Sequence, residues 1–266
     1  MRIATILISL LGLAACSATE PPSAESAGAG AAEPALHIVT AVNDSTRPEV
    51  DMQRDAGRHP AEILTFAGVQ PGWRVADLGA GSGYYSRILS SAVGADGEVI
   101  SENMDWLVEG FPATDEAIIA LAEERDNVTR LISPVPTILD GYDNELDAVF
   151  MMLIYHDQAW QQDGVEMPDR ADRIAMNRSI YNALRPGGVF LVVDHRAEDG
   201  AGDSVVGDYH RIGEAFVRGE IEAAGFRLDA ESAILSNPDD PRTISVFDAS
   251  IRGNTDRFVL LFRKPL

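Results

Sequence analysis

The sequence predicts an α/β protein, a doubly wound and mostly parallel sheet with helices on both faces. Three observations carry this reading. Strand-like and helix-like segments alternate from residue 74 onward, the pattern of βαβ units with right-handed crossovers. Leu146 to Met152 is almost continuously apolar, as a strand covered on both faces must be. A third segment, Arg74 to Leu78, runs straight into a glycine-rich turn and then a helix.

The elements follow in order. Arg47 to Ala56 reads as a charged helical lead-in. A helix starting at Pro60, where a first turn tolerates proline, should end by Gly68. Pro71-Gly72 turns the chain into the strand 74–78, and Tyr84 to Ala92 is the next helix. Glu98 to Ser101 is a strand, Ala113 to Arg125 a helix and Val128 to Ile132 a strand. The apolar strand 146–152 follows, then a helix over Arg170 to Leu184 and a strand over Gly188 to Val193. Ile212 to Ala224 is a helix closed by Gly225. Two late strands are expected, at Thr243 to Phe247 and Arg257 to Phe262, with the turn Gly253-Asn254 between them. In such sheets ligands bind beyond the carboxyl ends of the strands, so the turns after 78, 101, 132, 152 and 193 are the places to search.

The amino-terminal part is not sheet material. Arg2 precedes an apolar run, Ile3 to Ala15, too short to span a bilayer; it reads as a secretory signal over residues 1–15. Its end, Leu13-Ala14-Ala15-Cys16, resembles the bacterial lipobox, which implies lipidation of Cys16 and export to the periplasm or cell exterior. Residues 16–36 are then a lipidated cysteine and an Ala/Ser/Pro/Glu/Gly tether with too little apolar surface to order itself. The folded domain is expected at 37–266. Cys16 is the only cysteine, so an intrachain disulfide or a cysteine-based zinc site is excluded. With 21 Lys and Arg against 42 Asp and Glu, the net charge is −21. That opposes nucleic-acid binding and polybasic adsorption to anionic lipid, leaving a lipid anchor as the only expected membrane contact.

The chemistry is concentrated in Val75-Ala76-Asp77-Leu78-Gly79-Ala80-Gly81-Ser82-Gly83. Glycines there allow a tight reversal and close approach of backbone N–H groups to a ligand. A dinucleotide fingerprint needs glycine at position 84, where this chain has tyrosine, which disfavours an NAD enzyme. The D-x-G-x-G-x-G spacing resembles motif I of class I S-adenosylmethionine (SAM)-dependent methyltransferases. The likeness extends through 54–90, 146–157, 183–195, 209–212 and 256–265, and is nearest to a group of predicted exported bacterial methyltransferases. It implies SAM as cofactor and a Rossmann-like seven-stranded sheet whose last strand is antiparallel. It also implies that Asp77, Gly79, Ala80, Gly81 and Gly83 wrap the methionine end of SAM. An acid ending the second strand holds the ribose in such proteins; here Asn103 falls in register, with Glu102 one residue away. The adenine contact is unassigned, because the corresponding stretch reads Ser133-Pro134-Val135-Pro136.

Histidines form a second constellation. His156 with Asp157 follows the fourth strand, His195 ends the fifth and His210 precedes the last long helix. An imidazole oriented by a carboxylate suits proton removal from a methyl acceptor. His156 is the first candidate, assisted by Asp157, with His195 and His210 beside it. A structural role, or metal binding by the same four residues, are the competing readings. Arg58 and His59 are candidates for the acceptor side, and Tyr84 and Tyr85 divide between core and cofactor cover. The expected activity is methyl transfer from SAM to a small-molecule or envelope acceptor; a non-catalytic ligand-binding lipoprotein on the same fold is the alternative.

Overall fold

The computed structural model describes residues 33–160 and 168–266. The signal run, Cys16 and most of the tether lie outside the described residues. Four helices lead in: α1 (Leu36–Val42), α2 (Glu49–Met52), α3 (Asp55–Arg58) and α4 (Pro60–Ala67). Helix α1 begins at Leu36, one residue inside the expected tether. The single lead-in helix expected over 47–56 is two short ones. Gly68, in the left-handed conformation (φ 73°), closes α4 as expected.

Strand β1 (Arg74–Leu78) leads through the glycine turn to α5 (Tyr84–Val93), and β2 (Glu98–Met104) follows. Next come α6 (Asp105–Gly110), α7 (Pro112–Glu124), β3 (Val128–Ser133) and β4 (Leu146–Met152). The carboxyl half contains α8 (Arg170–Ala183), β5 (Leu184–His195), α9 (Val206–Tyr209), α10 (Glu214–Ala223), β6 (Arg227–Ser232) and β7 (Arg257–Arg263). The strands form one seven-stranded sheet in the order β3-β2-β1-β4-β5-β7-β6. The β1, β2, β3, β4 and β5 pairings are parallel, whereas β7 runs antiparallel to both β5 and β6.

Strand alternation splits the core into two layers. Ala76, Leu78, Val149 and Met151 pack on one face with Met176 and Ile180 of α8 and Val217 and Ile221 of α10. Val75, Ala148 and Phe150 pack on the other with Ile38, Ile63, Ile88 and Leu121 of α1, α4, α5 and α7. The chain runs outward from β1 through β2 to β3 and returns to place β4 on the other flank of β1. The crevice at the carboxyl ends of β1 and β4 is therefore the switch point.

One expected strand is absent. Thr243 to Phe247 is not a strand; β6 lies earlier, at 227–232. The buried Arg211 guanidinium donates to the Ile244 carbonyl (2.9 Å), and the Val246 amide donates to Tyr209 (3.1 Å). Those bonds hold 243–247 as a loop against α9.

Candidate active site

The glycine turn is held from beneath by β2. The Asn103 amide oxygen accepts the Gly81 N–H (2.8 Å) and its nitrogen donates to the Gly81 carbonyl (3.0 Å). The Glu102 carboxylate accepts the Gly79 N–H (3.2 Å) and the Ser133 hydroxyl (2.8 Å). Both side chains are buried. Both residues expected at the ribose are bonded to the glycine turn. Ser133 is likewise committed to Glu102 and the Ile138 carbonyl. Burial pushes the Glu102 carboxyl up to about 8 against the hydrogen bonds from Ser133 and Gly79.

Gly79, Gly81 and Gly83 all have positive φ (60°, 58° and 83°), but for different surroundings. A Cβ on Gly79 would lie 2.8 Å from the Ile154 side chain, and one on Gly83 3.1 Å from Ile118 and Leu121. At Gly81 it would meet nothing within 4 Å. Of the three, Gly81 alone borders open space.

That space is a cavity of about 200 Å³ lined by Asp77, Gly79, Ala80, Gly81, Tyr84, Tyr85, Met152, Arg54 and Arg58, among others. Asp77 accepts the Ser86 hydroxyl (2.6 Å). Burial raises its carboxyl to about 6, with Ser86 and the Arg58 charge pulling the other way. Across from it, α3 is anchored by Arg47 to Asp55 (2.7 Å) and by the Tyr84 hydroxyl to Asp55 (2.5 Å). This places the Arg58 guanidinium 4.6 Å from the Tyr84 ring centre. Burial lowers the Arg58 pKa, with Tyr85 opposing. Tyr84 and Tyr85 are both buried and both line the cavity, so neither is core alone. His59 faces Glu62 (3.5 Å) at the surface, and His37 bonds the Val69 carbonyl (2.9 Å); neither lines this cavity.

The histidines converge at the ends of β4 and β5. His156 sits in the 3₁₀ turn after β4, its ring centre 5.6 Å from those of His195 and His210. Its Nδ1 faces Asp194 Oδ1 (2.7 Å), and its backbone N–H donates to the other oxygen of that carboxylate (2.8 Å). Its Nε2 lies 3.1 Å from Asp157 Oδ1, and His210 Nδ1 lies 3.4 Å from the same oxygen. The orienting carboxylate is therefore Asp194, 38 residues away, rather than the neighbour Asp157 alone. Burial disfavours charge on His156, but Asp194 and Asp157 outweigh it and raise the imidazole to about 10. Both ring nitrogens of His156 thus face carboxylates, Nδ1 towards Asp194 and Nε2 towards Asp157. Burial and then the His156 charge hold His195 well below its ordinary range. The His195 Nδ1 is bonded to Thr255 Oγ1 (2.7 Å).

His156, Asp157, His195 and His210 line a cavity of about 410 Å³ with Trp106, Leu107, Phe111, Leu153, Trp160 and Phe247. The Trp106 Nε1 is buried without a hydrogen-bond partner, an unspent donor on the wall. A trough of about 810 Å³ shares Arg54 and Arg58 with the glycine cavity, and Leu153, His195 and Phe247 with the histidine cavity. Two residues lining the histidine cavity are strained: Leu153 (φ 60°) and His210 (φ 51°) adopt left-handed backbone, uncommon for non-glycine residues and frequent at functional sites. Sequence reasoning missed Arg54, Trp106, Phe247 and Thr255. Arg54 stood in the matched segment 54–90, whereas the others carry no local motif.

The profile of the family described as protein-L-isoaspartate(D-aspartate) O-methyltransferase matches residues 51–114, the segment holding the glycine turn. No curated protein matches the chain. Among solved structures, a SAM-dependent methyltransferase from Aquifex aeolicus is 19% identical, with a TM-score of 0.55, covering 81% of this chain and 95% of that one. The 1,6-didemethyltoxoflavin-N1-methyltransferase of Burkholderia thailandensis, solved with S-adenosylhomocysteine, is 20% identical with a TM-score of 0.54; 82% of each chain is covered. The [4+2]-cyclase SpnF is 18% identical at the same TM-score, covering 84% of this chain and 85% of its own. The chain has the methyltransferase fold. The cyclase shows why the site, and not the fold, must carry the reaction.

Proposed function

We propose that the chain is a SAM-dependent methyltransferase acting on a small-molecule or envelope acceptor. The carrying observation is the charge arrangement at the glycine turn. One buried carboxylate, Asp77, and two guanidiniums, Arg54 and Arg58, line a single small cavity. A methionine moiety carries the matching pair, an ammonium for Asp77 and a carboxylate for the arginines. The family profile and the bound S-adenosylhomocysteine of one structural relative support the same cofactor.

The acceptor occupies the histidine cavity, between aromatic walls. Transfer is an in-line displacement. The acceptor heteroatom attacks the methyl carbon, the S–CH₃ bond breaks with its electron pair going to sulfur, and S-adenosylhomocysteine leaves as a thioether. The acceptor proton passes to His195 in the tautomer whose Nδ1–H donates to Thr255 Oγ1, which leaves Nε2 to accept it. Export, with lipidation at Cys16 and a tether over 16–36, is proposed on the lipobox resemblance alone.

The test is transfer of a radiolabelled methyl group from SAM into bacterial envelope and small-molecule fractions. Labelling is expected with the wild type. It should fall by about 10²–10⁴ with His195→Ala, the usual worth of a general base. Saturable SAM binding with no labelling of any fraction would favour the non-catalytic reading.

A further inference from the structure

The histidine cluster has a geometry that acceptor binding does not require. Three donor groups, on His156, Asp157 and His210, lie within 4.8 Å of one another. Two donors bound to one first-row metal ion at about 2.1 Å, at ordinary coordination angles, stand roughly 3.1–3.4 Å apart. The observed separations from Asp157 Oδ1 are 3.1 Å to His156 Nε2 and 3.4 Å to His210 Nδ1. Behind the cluster, the fully buried Asp194 fixes His156 through Nδ1 (2.7 Å) and through its backbone N–H (2.8 Å). That leaves Nε2 as the ligating nitrogen, the carboxylate–histidine arrangement that orients metal-bound imidazoles. His210 has left-handed backbone (φ 51°) and its ring centre lies 5.6 Å from that of His156. Asp157 and Asp194 together carry the two negative charges that a divalent ion neutralises.

We propose that His156, Asp157 and His210 bind one divalent first-row transition-metal ion, with Asp194 as the supporting carboxylate. Two imidazoles and one carboxylate favour such an ion over Mg²⁺ or Ca²⁺, which prefer oxygen donors. Three protein ligands leave positions open, and the same residues line the 410 Å³ cavity, so an acceptor heteroatom can complete the coordination. That catalytic use rests on the methyltransferase reading; the existence of the site does not.

The test uses the untagged chain, stripped with chelator and titrated with Co²⁺ alone while its visible absorption is followed. One equivalent should bind and be displaced by Zn²⁺. Asp157→Asn and His210→Gln should each weaken Co²⁺ binding at least tenfold, and Asp194→Asn by about 10–100-fold, the usual effect of a supporting partner. Circular dichroism accompanies each variant. Absence of stoichiometric Co²⁺ and Zn²⁺ binding, or equal binding by the folded Asp157→Asn and His210→Gln chains, overturns the proposal. SAM titration of the stripped chain separates the two claims. SAM binding without metal binding removes only the metal site; metal binding without SAM binding leaves the site standing and removes the methyltransferase reading.

Discussion

Gly81 and Gly79 lie two residues apart in one turn and should respond differently to the same change. Gly81→Ala adds a methyl group to open cavity space at a φ that L residues tolerate at a cost of about 1 kcal/mol. It should lower SAM affinity at least tenfold while leaving the circular dichroism spectrum intact. Gly79→Ala pushes a Cβ against Ile154 and should cost about 1–3 kcal/mol of stability. Thermal melts paired with binding titrations read both; equal effects of the two variants would contradict the division of roles. Asp77 offers a pH test. The cofactor ammonium pairs with the ionised carboxylate, whose pKa is about 6 in the free chain. SAM affinity should be constant above that pH and fall by up to tenfold per unit below it. Asp77 and the glycines were legible because their spacing is itself the motif. The Asp194–His156 pair was not, since only folding brings together residues 38 positions apart; neighbouring Asp157 drew the attention instead.

At the scale of elements, β2 supports the turn of β1 through Glu102 and Asn103. The folded chain holds a proton on Glu102 up to about pH 8, whereas its ordinary value is 4.5. Its contribution to stability is therefore complete below pH 4.5 and is lost as pH rises toward 8, by at most about 1.4 kcal/mol per unit. Between pH 6 and 8, where Asp77 is already ionised, denaturant titrations of the wild type should show falling stability. Glu102→Gln should flatten that slope; an unchanged slope would place the titration elsewhere. The parallel strands were legible because burial on both faces makes them apolar throughout. Strand β6, Arg-Leu-Asp-Ala-Glu-Ser, was not, because an edge strand with alternating exposed residues has little apolar signal. Thr243 to Phe247 has the β-branched and aromatic composition of a strand, but Arg211 and Tyr209 claim its backbone.

At the scale of the molecule, the chain has a net charge of −21, yet its trough is lined by Arg54, Arg58, Arg252 and Arg257 and by no carboxylate among the described residues. Among the described residues no helix is long and apolar enough to cross a membrane. The proposed lipidation of Cys16 rests on the lipobox resemblance, and Cys16→Ser should leave the chain unprocessed or release it from membranes. An unchanged, processed membrane fraction would contradict lipidation. The Asp77–Arg58 cavity is proposed to hold the methionine end of SAM. Calorimetric titration of SAM and S-adenosylhomocysteine into the wild type and Arg58→Met tests it most directly. One site should bind both ligands in the wild type. In Arg58→Met affinity should fall by about 1.5–3 kcal/mol, the worth of a charged hydrogen bond, or roughly 10–150-fold. Binding of neither ligand to the folded wild type, or equal affinity in Arg58→Met, would contradict it.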